Sequence, residues 1–348
     1  MRKLIRIVMF TISIAFATVS AQAGADRFTS ISPEGASISG FVIDPAKPST
    51  IYAGSTYAGV FKSLDGGESW MLVFDLETLR ENRTTQRFIG KLAIDPIRSS
   101  TVYATIRTYL PNSNFIGEIV KTEDGGATWS VLPRWPGRDY VIDLVIDPSS
   151  PGTLYALDQT DLWQSTNGGL SWIPKSTGLQ AVFAGEFRSV AIDPSLPSRL
   201  YVGSTRGLYV SNDRGGVWEL LRAGADFHRI AVDPADSATL YAAQRDALIS
   251  SRDSGKTWTM LPVSYVFQIV ADRRSSAAYA VVSTVDHVIK ILVSTDRGAT
   301  WTPRPGEGDF PHYSRSTQVH PTCFTGPTGG SSSRPRTAAK TGVSSTAD

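Results

Sequence analysis

The sequence has little cysteine, no excess of charge of one sign and few histidines. Cys323 is the only cysteine in 348 residues, so a fold held together by intramolecular disulfides is excluded. The 34 basic and 32 acidic side chains leave a net charge of +2, which argues against a nucleic-acid-binding protein. The four histidines lie without metal-ligand spacing, and the sequence therefore predicts neither a metal nor a cofactor.

Long apolar runs are also missing, except at the N-terminus. Arg2, Lys3 and Arg6 precede the apolar run 7–19 and the small-x-small sequence 21–23, a pattern typical of a secretory signal peptide. No later stretch approaches the ~20 apolar residues of a membrane span. We therefore expect cleavage after residue 23 and export of a monomer, without a membrane span, to the periplasm or the medium.

The remaining chain is repetitive. The pattern Ser/Thr-x-Asp/Asn-x-Gly-x-x-Trp, called the box below, occurs six times, at 63–70, 122–129, 165–172, 211–218, 251–258 and 294–301. An apolar segment ending in Asp-Pro or a variant, then Tyr-Ala or Tyr-Val, precedes each box. Four short apolar runs per repeat, at 39–43, 50–54, 59–63 and 69–74 in the first, indicate four strands. Repeats of about 40–50 residues with four strands are typical of propeller blades.

The residue types of the box suit a tight turn between the third and fourth strands. Its glycine can take a positive φ, its Asp or Asn can accept hydrogen bonds from turn amides, and its tryptophan can cover the hairpin. The boxes predict that Trp172→Ala costs about 3–5 kcal/mol, as for other buried large-to-small changes. We assign this structural role to Asp65, Trp70, Asp124, Trp129, Asn167, Trp172, Asp213, Trp218, Asp253, Trp258, Asp296 and Trp301.

These octapeptides resemble Asp-boxes, or BNR repeats, of bacterial sialidases, xyloglucanases, sortilin and a photosystem II assembly factor. The resemblance covers residues 28–304. It implies an all-β fold, a single β-propeller of four-stranded antiparallel blades, with the boxes away from the functional face. Members of this group have unrelated functions but share one fold, so the resemblance predicts the fold better than the function.

Six complete repeats leave fragments at both ends. Residues 27–31 read as a fourth strand without a blade of its own, and residues 316–321 resemble a first strand. We therefore predict a degenerate or truncated seventh blade, the alternative being a flexible tail on a six-bladed ring. We assign 24–304 to the propeller and 305–348 to the seventh-blade remnant and a Gly/Ser/Thr/Pro-rich tail, which we expect to be disordered from residue 325.

Insertions at 75–88, 106–118 and 133–140 lengthen connections of the first three repeats. Arginines beside aromatic side chains in long loops suit a binding surface for a protein or a glycan. A solvated arginine-rich surface is the alternative. The predicted ligand-binding residues are Arg83, Arg87, Arg107, Tyr109, Phe115, Trp135, Arg138 and Tyr140.

No catalytic residue can be assigned. A sialidase needs an arginine cluster, a tyrosine nucleophile with a Glu, and an acidic Asp, and the Arg-Ile-Pro motif of that family is absent. A xyloglucanase-like enzyme would use two opposed aspartates between two propellers. Four aspartates remain that no repeat motif uses, and we call them the spare aspartates: Asp139, Asp143, Asp226 and Asp286. The sequence does not show which two of them could form a catalytic pair. We expect an exported non-catalytic recognition or assembly module for a protein or glycan; the alternative is a glycoside hydrolase, and an assembly factor is a third possibility.

Overall fold

The computed structural model describes residues 33, 37–79, 86–110, 115–179, 187–272, 277–286 and 288–303. The predicted signal peptide, the strand 27–31, the seventh-blade remnant and the tail lie outside these residues, as does Arg83. They stay predictions.

Six four-stranded antiparallel sheets form the blades, and strands that follow each other in the chain are neighbours in the sheet. Blades 1 to 3 comprise β1 (Ile38–Ile43), β2 (Ile51–Ser55), β3 (Gly59–Ser63), β4 (Met71–Asp75); β5 (Gln86–Ile94), β6 (Val102–Tyr109), β7 (Phe115–Thr122), β8 (Ser130–Val131); and β9 (Asp143–Ile146), β10 (Leu154–Leu157), β11 (Leu162–Ser165), β12 (Ile173–Pro174). Blades 4 to 6 comprise β13 (Phe187–Ile192), β14 (Leu200–Ser204), β15 (Gly207–Ser211), β16 (Glu219–Ala223); β17 (Arg229–Asp233), β18 (Asp236–Gln244), β19 (Ala247–Ser251), β20 (Thr259–Pro262); and β21 (Tyr265–Ala271), β22 (Ala278–Ser283), β23 (Ile289–Ser294), β24 (Thr302–Pro303).

The blades are arranged in a ring. The first strand of each blade packs beside the first strand of the next, from β1 through β5, β9, β13 and β17 to β21. This confirms the predicted all-β propeller and its six complete blades, and the strands predicted in the first repeat agree with the observed ones within two residues. Within the described residues, the 3₁₀ helix Leu76–Leu79 is the only helical element. No described helix has the length and apolarity needed to cross a membrane.

The hydrophobic core lies between the blades. A cluster that includes Tyr52, Val60 and Phe74 of blade 1 and Ile106 of blade 2 fills the first interface, and similar clusters fill the next four. Each blade therefore covers one face of its neighbour, which is how a radial fold excludes water without a central core.

The tyrosine that follows the Asp-Pro segment joins blades 1 to 3. Tyr52 and Tyr103 are almost fully buried. The Tyr52 hydroxyl donates to the carbonyl oxygen of Gly125 at 3.0 Å, and that of Tyr103 donates to Gly168 at 3.5 Å. Both carbonyls belong to the box of the following blade. The repeated Tyr-Ala or Tyr-Val of the sequence thus marks a contact between blades as well as a strand.

The hydrogen bonds of the first box show how the box closes its hairpin. The Ser63 hydroxyl accepts from the amide of Gly67 at 2.7 Å and donates to Asp65 Oδ1 at 2.7 Å. Asp65 Oδ1 also accepts from the Ser69 amide at 3.0 Å. Gly67 has a φ of 95°, which glycine adopts without steric cost. These are the hydrogen bonds predicted for the turn, and they engage the Asp65 carboxylate.

The box tryptophans are half-buried rather than fully buried. Those of blades 2 to 6 pack on the preceding blade: Trp129 of blade 2 lies 5.3 Å from the ring of Phe74 in blade 1, and Trp301 of blade 6 lies 5.8 Å from Tyr241 in blade 5. The Trp218 indole donates to the carbonyl oxygen of Lys175 in blade 3 at 2.8 Å. These side chains therefore close the rim between two blades, and the cost expected for Trp172→Ala from full burial is too high.

The Asp of the Asp-Pro segment does more than precede a strand-ending proline. Asp44 Oδ1 accepts from the amides of Ala46 at 2.8 Å and Lys47 at 3.0 Å. Asp95 repeats this pattern, and both carboxylates are buried. Such turns satisfy the backbone amides that leave the first strand.

The boxes make the stability of the fold depend on pH in acidic solution. Hydrogen bonds from the Thr257 hydroxyl and amide lower the pKa of Asp253 to about 2. A folded-state pKa below the unfolded value of about 3.9 stabilises the fold above pH 4, and this contribution is lost as the pH falls towards 2. We expect Asp253→Asn to unfold at lower urea concentration than the wild type at pH 7, with the difference shrinking between pH 4 and pH 2.

Blade 3 provides the matched control for that measurement. Its box carries Asn167, whose Oδ1 accepts from the Ser171 amide at 3.0 Å and whose Nδ2 donates to the Ser171 hydroxyl at 2.8 Å. Relative to the wild type, Asn167→Asp should therefore gain stability as the pH rises from 2 to 4, whereas Asp253→Asn should lose it. Parallel pH profiles for wild type and both variants would contradict the assignment.

Candidate functional site

One face of the ring carries the connections between second and third strands and those from a fourth strand to the next blade; we call it the loop face. The described residues of all three insertions lie there. The second insertion, 106–118, was expected to be a loop, whereas its described residues 106–109 and 115–118 form strands. Its residues lengthen β6 and β7 to eight residues each, against five in β2 and β3. The β-branched and aromatic residues Ile106, Thr108, Tyr109, Phe115 and Ile116 favour this extended hairpin.

A group of rings surrounds Arg107 on the loop face. Its guanidinium lies 5.1 Å from the ring centre of Phe88, 5.3 Å from Phe115 and 4.8 Å from Tyr140. Phe88 pairs with Arg107 across β5 and β6. Tyr140 comes from the connection between blades 2 and 3. Three chain segments therefore position one cation among three rings, an arrangement stabilised by cation–π attraction.

Further aromatic side chains extend this group. The ring of Tyr109 lies 5.1 Å from Phe115, that of Phe115 lies 5.5 Å from Tyr140, and Tyr57 of blade 1 lies 5.5 Å from Phe88. We define the aromatic platform as Tyr57, Phe88, Arg107, Tyr109, Phe115 and Tyr140. Tyr57 is 66% exposed and the others are half-buried. The platform thus presents rigid apolar surfaces beside a guanidinium and phenol hydroxyls.

The structure brings together Arg107, Tyr109, Phe115 and Tyr140 of the predicted binding residues. Sequence reasoning missed Phe88 and Tyr57 as members. Phe88 is the last residue of the first insertion, so its position in the sequence already suggested that it belongs to the site. Tyr57 lies in a three-residue turn of blade 1, and its approach to Phe88 depends on how two blades pack, which no local pattern reveals.

Two predicted arginines have other surroundings. Arg87 Nη1 lies 3.5 Å from Glu118 Oε2, with its side chain only 11% exposed. The Thr108 hydroxyl donates to the same carboxylate at 3.2 Å, so Arg87 stabilises the extended hairpin. Arg138 is exposed and, among the described residues, is outside cation–π range of the platform rings.

Trp135 requires a correction. It was expected to be an exposed ligand-binding ring, whereas it is 4% exposed. Its ring meets Trp163 at 5.8 Å and Trp172 at 5.2 Å in edge-to-face contacts. The third insertion folds inward here because burying an indole removes a large apolar area from water. Trp135 is therefore a core residue between blades 2 and 3.

The spare aspartates differ in their partners. Asp143 Oδ1 lies 3.6 Å from Lys91 Nζ, and its Oδ2 accepts from the Val190 amide at 3.1 Å, so it links the first strands of blades 2, 3 and 4. Asp139 Oδ1 accepts from the amide of Tyr140 at 2.8 Å. Asp226 lies 3.6 Å from Arg188 Nε. Asp286 is exposed.

A carboxyl with a raised pKa, Asp158, was not singled out from the sequence. Burial raises the pKa of Asp158, which is fully inaccessible to solvent. Its Oδ1 accepts from the amides of Thr160 at 2.8 Å and Asp161 at 2.7 Å. These bonds close the turn between β10 and β11, so the turn accounts for the side chain. The Asp-x-x-Asp spacing between two apolar runs was its sequence signal.

The one described histidine, His228, is a structural residue. Its ring stacks on Tyr265 at 4.8 Å, and its Nε2 lies 3.2 Å from the carbonyl oxygen of Val266. Burial lowers its pKa. Within the described residues, no group of three or more His, Cys, Asp or Glu side chains is arranged to hold a metal ion.

Comparisons of the sequence with known proteins find similarity to xyloglucanases. No protein-family model matches the chain. A xyloglucanase from Hypocrea jecorina is 28% identical over 221 residues, which are 53% of this chain and 26% of that enzyme. A xyloglucanase from a Paenibacillus species is 28% identical over 148 residues, which are 40% of this chain and 14% of that enzyme. The chain thus spans about a quarter or less of the length of these relatives.

Solved structures share the fold. The GH74 xyloglucanase of Xanthomonas campestris superposes with a TM-score of 0.63 at 17% identity, covering 76% of this chain and 45% of that one. YCF48 from Cyanidioschyzon merolae gives 0.58 at 15% identity over 78% and 85% of the two chains. Identities this low show the propeller fold alone. The sequence relatives favour a glycosidase-like propeller, and the non-catalytic module expected from the sequence is not supported by them.

Proposed function

We propose that this protein is a glycosidase-type propeller that acts on a xyloglucan-type polysaccharide and holds it on the aromatic platform. The observation that carries this proposal is the stacking of Arg107 among Phe88, Phe115 and Tyr140 on the loop face. The xyloglucanase relatives supply the substrate class.

The chemistry of the platform suits a sugar polymer. A pyranose ring has an apolar face of C–H groups and an edge of hydroxyl groups. Aromatic rings provide flat apolar surfaces with little conformational entropy to lose, and a planar guanidinium donates several hydrogen bonds to hydroxyl oxygens. Because Arg107 is already held between three rings, little ordering is needed when the polymer binds.

Hydrolysis is the second part of the proposal. It requires two carboxyl groups about 5–10 Å apart on either side of the scissile bond. The xyloglucanase resemblance implies aspartates that face each other from two propellers, whereas the described residues form one. We therefore expect binding by this chain to be measurable separately from turnover.

The experiment is an affinity and turnover assay of the same preparation on xyloglucan, unsubstituted cellulose and an α-glucan. Binding to xyloglucan with release of reducing ends supports the full proposal, and binding without release restricts it to holding the polymer. Absence of xyloglucan binding at millimolar sugar concentrations would overturn the proposal. Binding that does not discriminate the α-glucan would contradict the substrate class.

A further inference from the structure

A polar cleft, apart from the aromatic platform, lies on the loop face between blades 4 and 5. Its volume is about 470 Å³, within the range of small-molecule sites. The polar side chains that line it are Arg188, Thr205, Asp226, Gln244, Arg245 and Asp246. They come from β13, the turn between β14 and β15, the connection from blade 4 to blade 5, and the end of β18 with its following turn. Blades 1 to 3 carry the aromatic platform, so the two sites are separate.

Two buried polar atoms in this cleft have unused hydrogen-bonding capacity. Gln244 is 6% exposed, and its Nε2 has no acceptor among the described residues. Asp226 Oδ1 is likewise buried without a donor among them. Its neighbouring cation, Arg188 Nε, is 3.6 Å away, beyond hydrogen-bond distance. Because a buried unpaired amide or carboxylate oxygen is costly, such atoms point to a ligand that supplies the missing partner.

The charges of the cleft define the class of that ligand. Two arginines, Arg188 and Arg245, face two aspartates, Asp226 and Asp246. A strongly charged ligand would be repelled by one pair while it is attracted by the other. A neutral ligand with many hydroxyl groups can donate to the carboxylates and accept from the amide and guanidinium groups at the same time.

We propose that this cleft binds a single neutral sugar unit, with the Gln244 amide donating to one of its oxygens and Asp226 accepting from a hydroxyl. The inference rests on the proposed function, since a polysaccharide supplies such units. It adds a second contact on the other side of the loop face, so that a long polymer engages both sites.

The test uses a xyloglucan heptasaccharide titrated by calorimetry into the full chain and into Gln244→Leu. Leucine keeps the volume of the side chain and removes the amide. We expect the Kd to rise at least tenfold, which is about 1.4 kcal/mol. We also expect the urea midpoint of unfolding to be unchanged or higher, because an unpaired buried donor has been removed.

Gln164→Leu is the matched control. Gln164 is also buried, but its Nε2 donates to the Tyr155 hydroxyl at 2.9 Å, so this variant should lose stability and keep its Kd. A Gln244→Leu protein that binds the heptasaccharide as the wild type does, while platform variants bind weakly, would overturn this inference and leave the proposed function standing. A wild-type protein that binds no sugar would overturn both.

Discussion

Trp135→Ala should lower the free energy of unfolding by about 3–5 kcal/mol, the range for deletion of a buried aromatic side chain. Trp135 is 4% exposed and packs against Trp163 and Trp172 between blades 2 and 3. Its loss leaves a cavity that both blades line, and neighbouring β-sheets cannot collapse to fill it without shifting their strands. Chemical denaturation, with intrinsic fluorescence and circular dichroism as two probes, measures the change.

Two variants make the measurement specific. Trp135→Phe keeps an aromatic ring in the gap and should recover a large part of the loss. Trp172→Ala removes a half-buried indole from the same cluster, so it should cost less than Trp135→Ala, because less apolar area returns to water. A loss below about 1 kcal/mol for Trp135→Ala, together with a loss of sugar binding, would return Trp135 to the ligand-binding surface.

The fold could be predicted from the sequence because each blade is encoded locally. In the first box Gly67 has a φ of 95° and Asp65 accepts from a turn amide. The need for a glycine and for an acceptor at these positions can be recognised within eight residues. The alternation of apolar residues around it then gives four strands. Agreement between local turn chemistry and the global repeat is what makes such a fold predictable.

The candidate site was predictable only in part, because its members meet through packing between blades. The composition of the insertions pointed to Arg107 and Tyr140, but their contact depends on the register of β5 and β6 and on the course of the third insertion. That insertion is polar around Trp135, and its sequence does not reveal that the indole is buried. The cleft at Gln244 carried no sequence signal, because an unpaired amide becomes visible only once its surroundings are known.

The platform leads to the second large expected effect. Arg107→Ala and Tyr140→Ala should each raise the Kd for xyloglucan by about 10- to 100-fold, which corresponds to about 1.4–2.8 kcal/mol. Arg107 contacts three of the rings, so its loss removes both a donor to the polymer and the cation that orders the rings. Arg107→Lys should lie between wild type and alanine, because an ammonium keeps the charge but not the stacking plane.

Tyr57→Ala and Arg138→Ala complete this series. Tyr57 is 66% exposed, so its removal should weaken binding with little change in the unfolding midpoint, which separates recognition from folding. Arg138 is an exposed cation from the same connection as Tyr140, and its loss should leave the Kd unchanged. If Arg138→Ala weakened binding as much as Arg107→Ala, an exposed arginine outside the stacked platform would contribute equally, and the platform would not account for recognition. Stacking on aromatic faces also predicts that binding persists at high salt, since apolar contact is not screened.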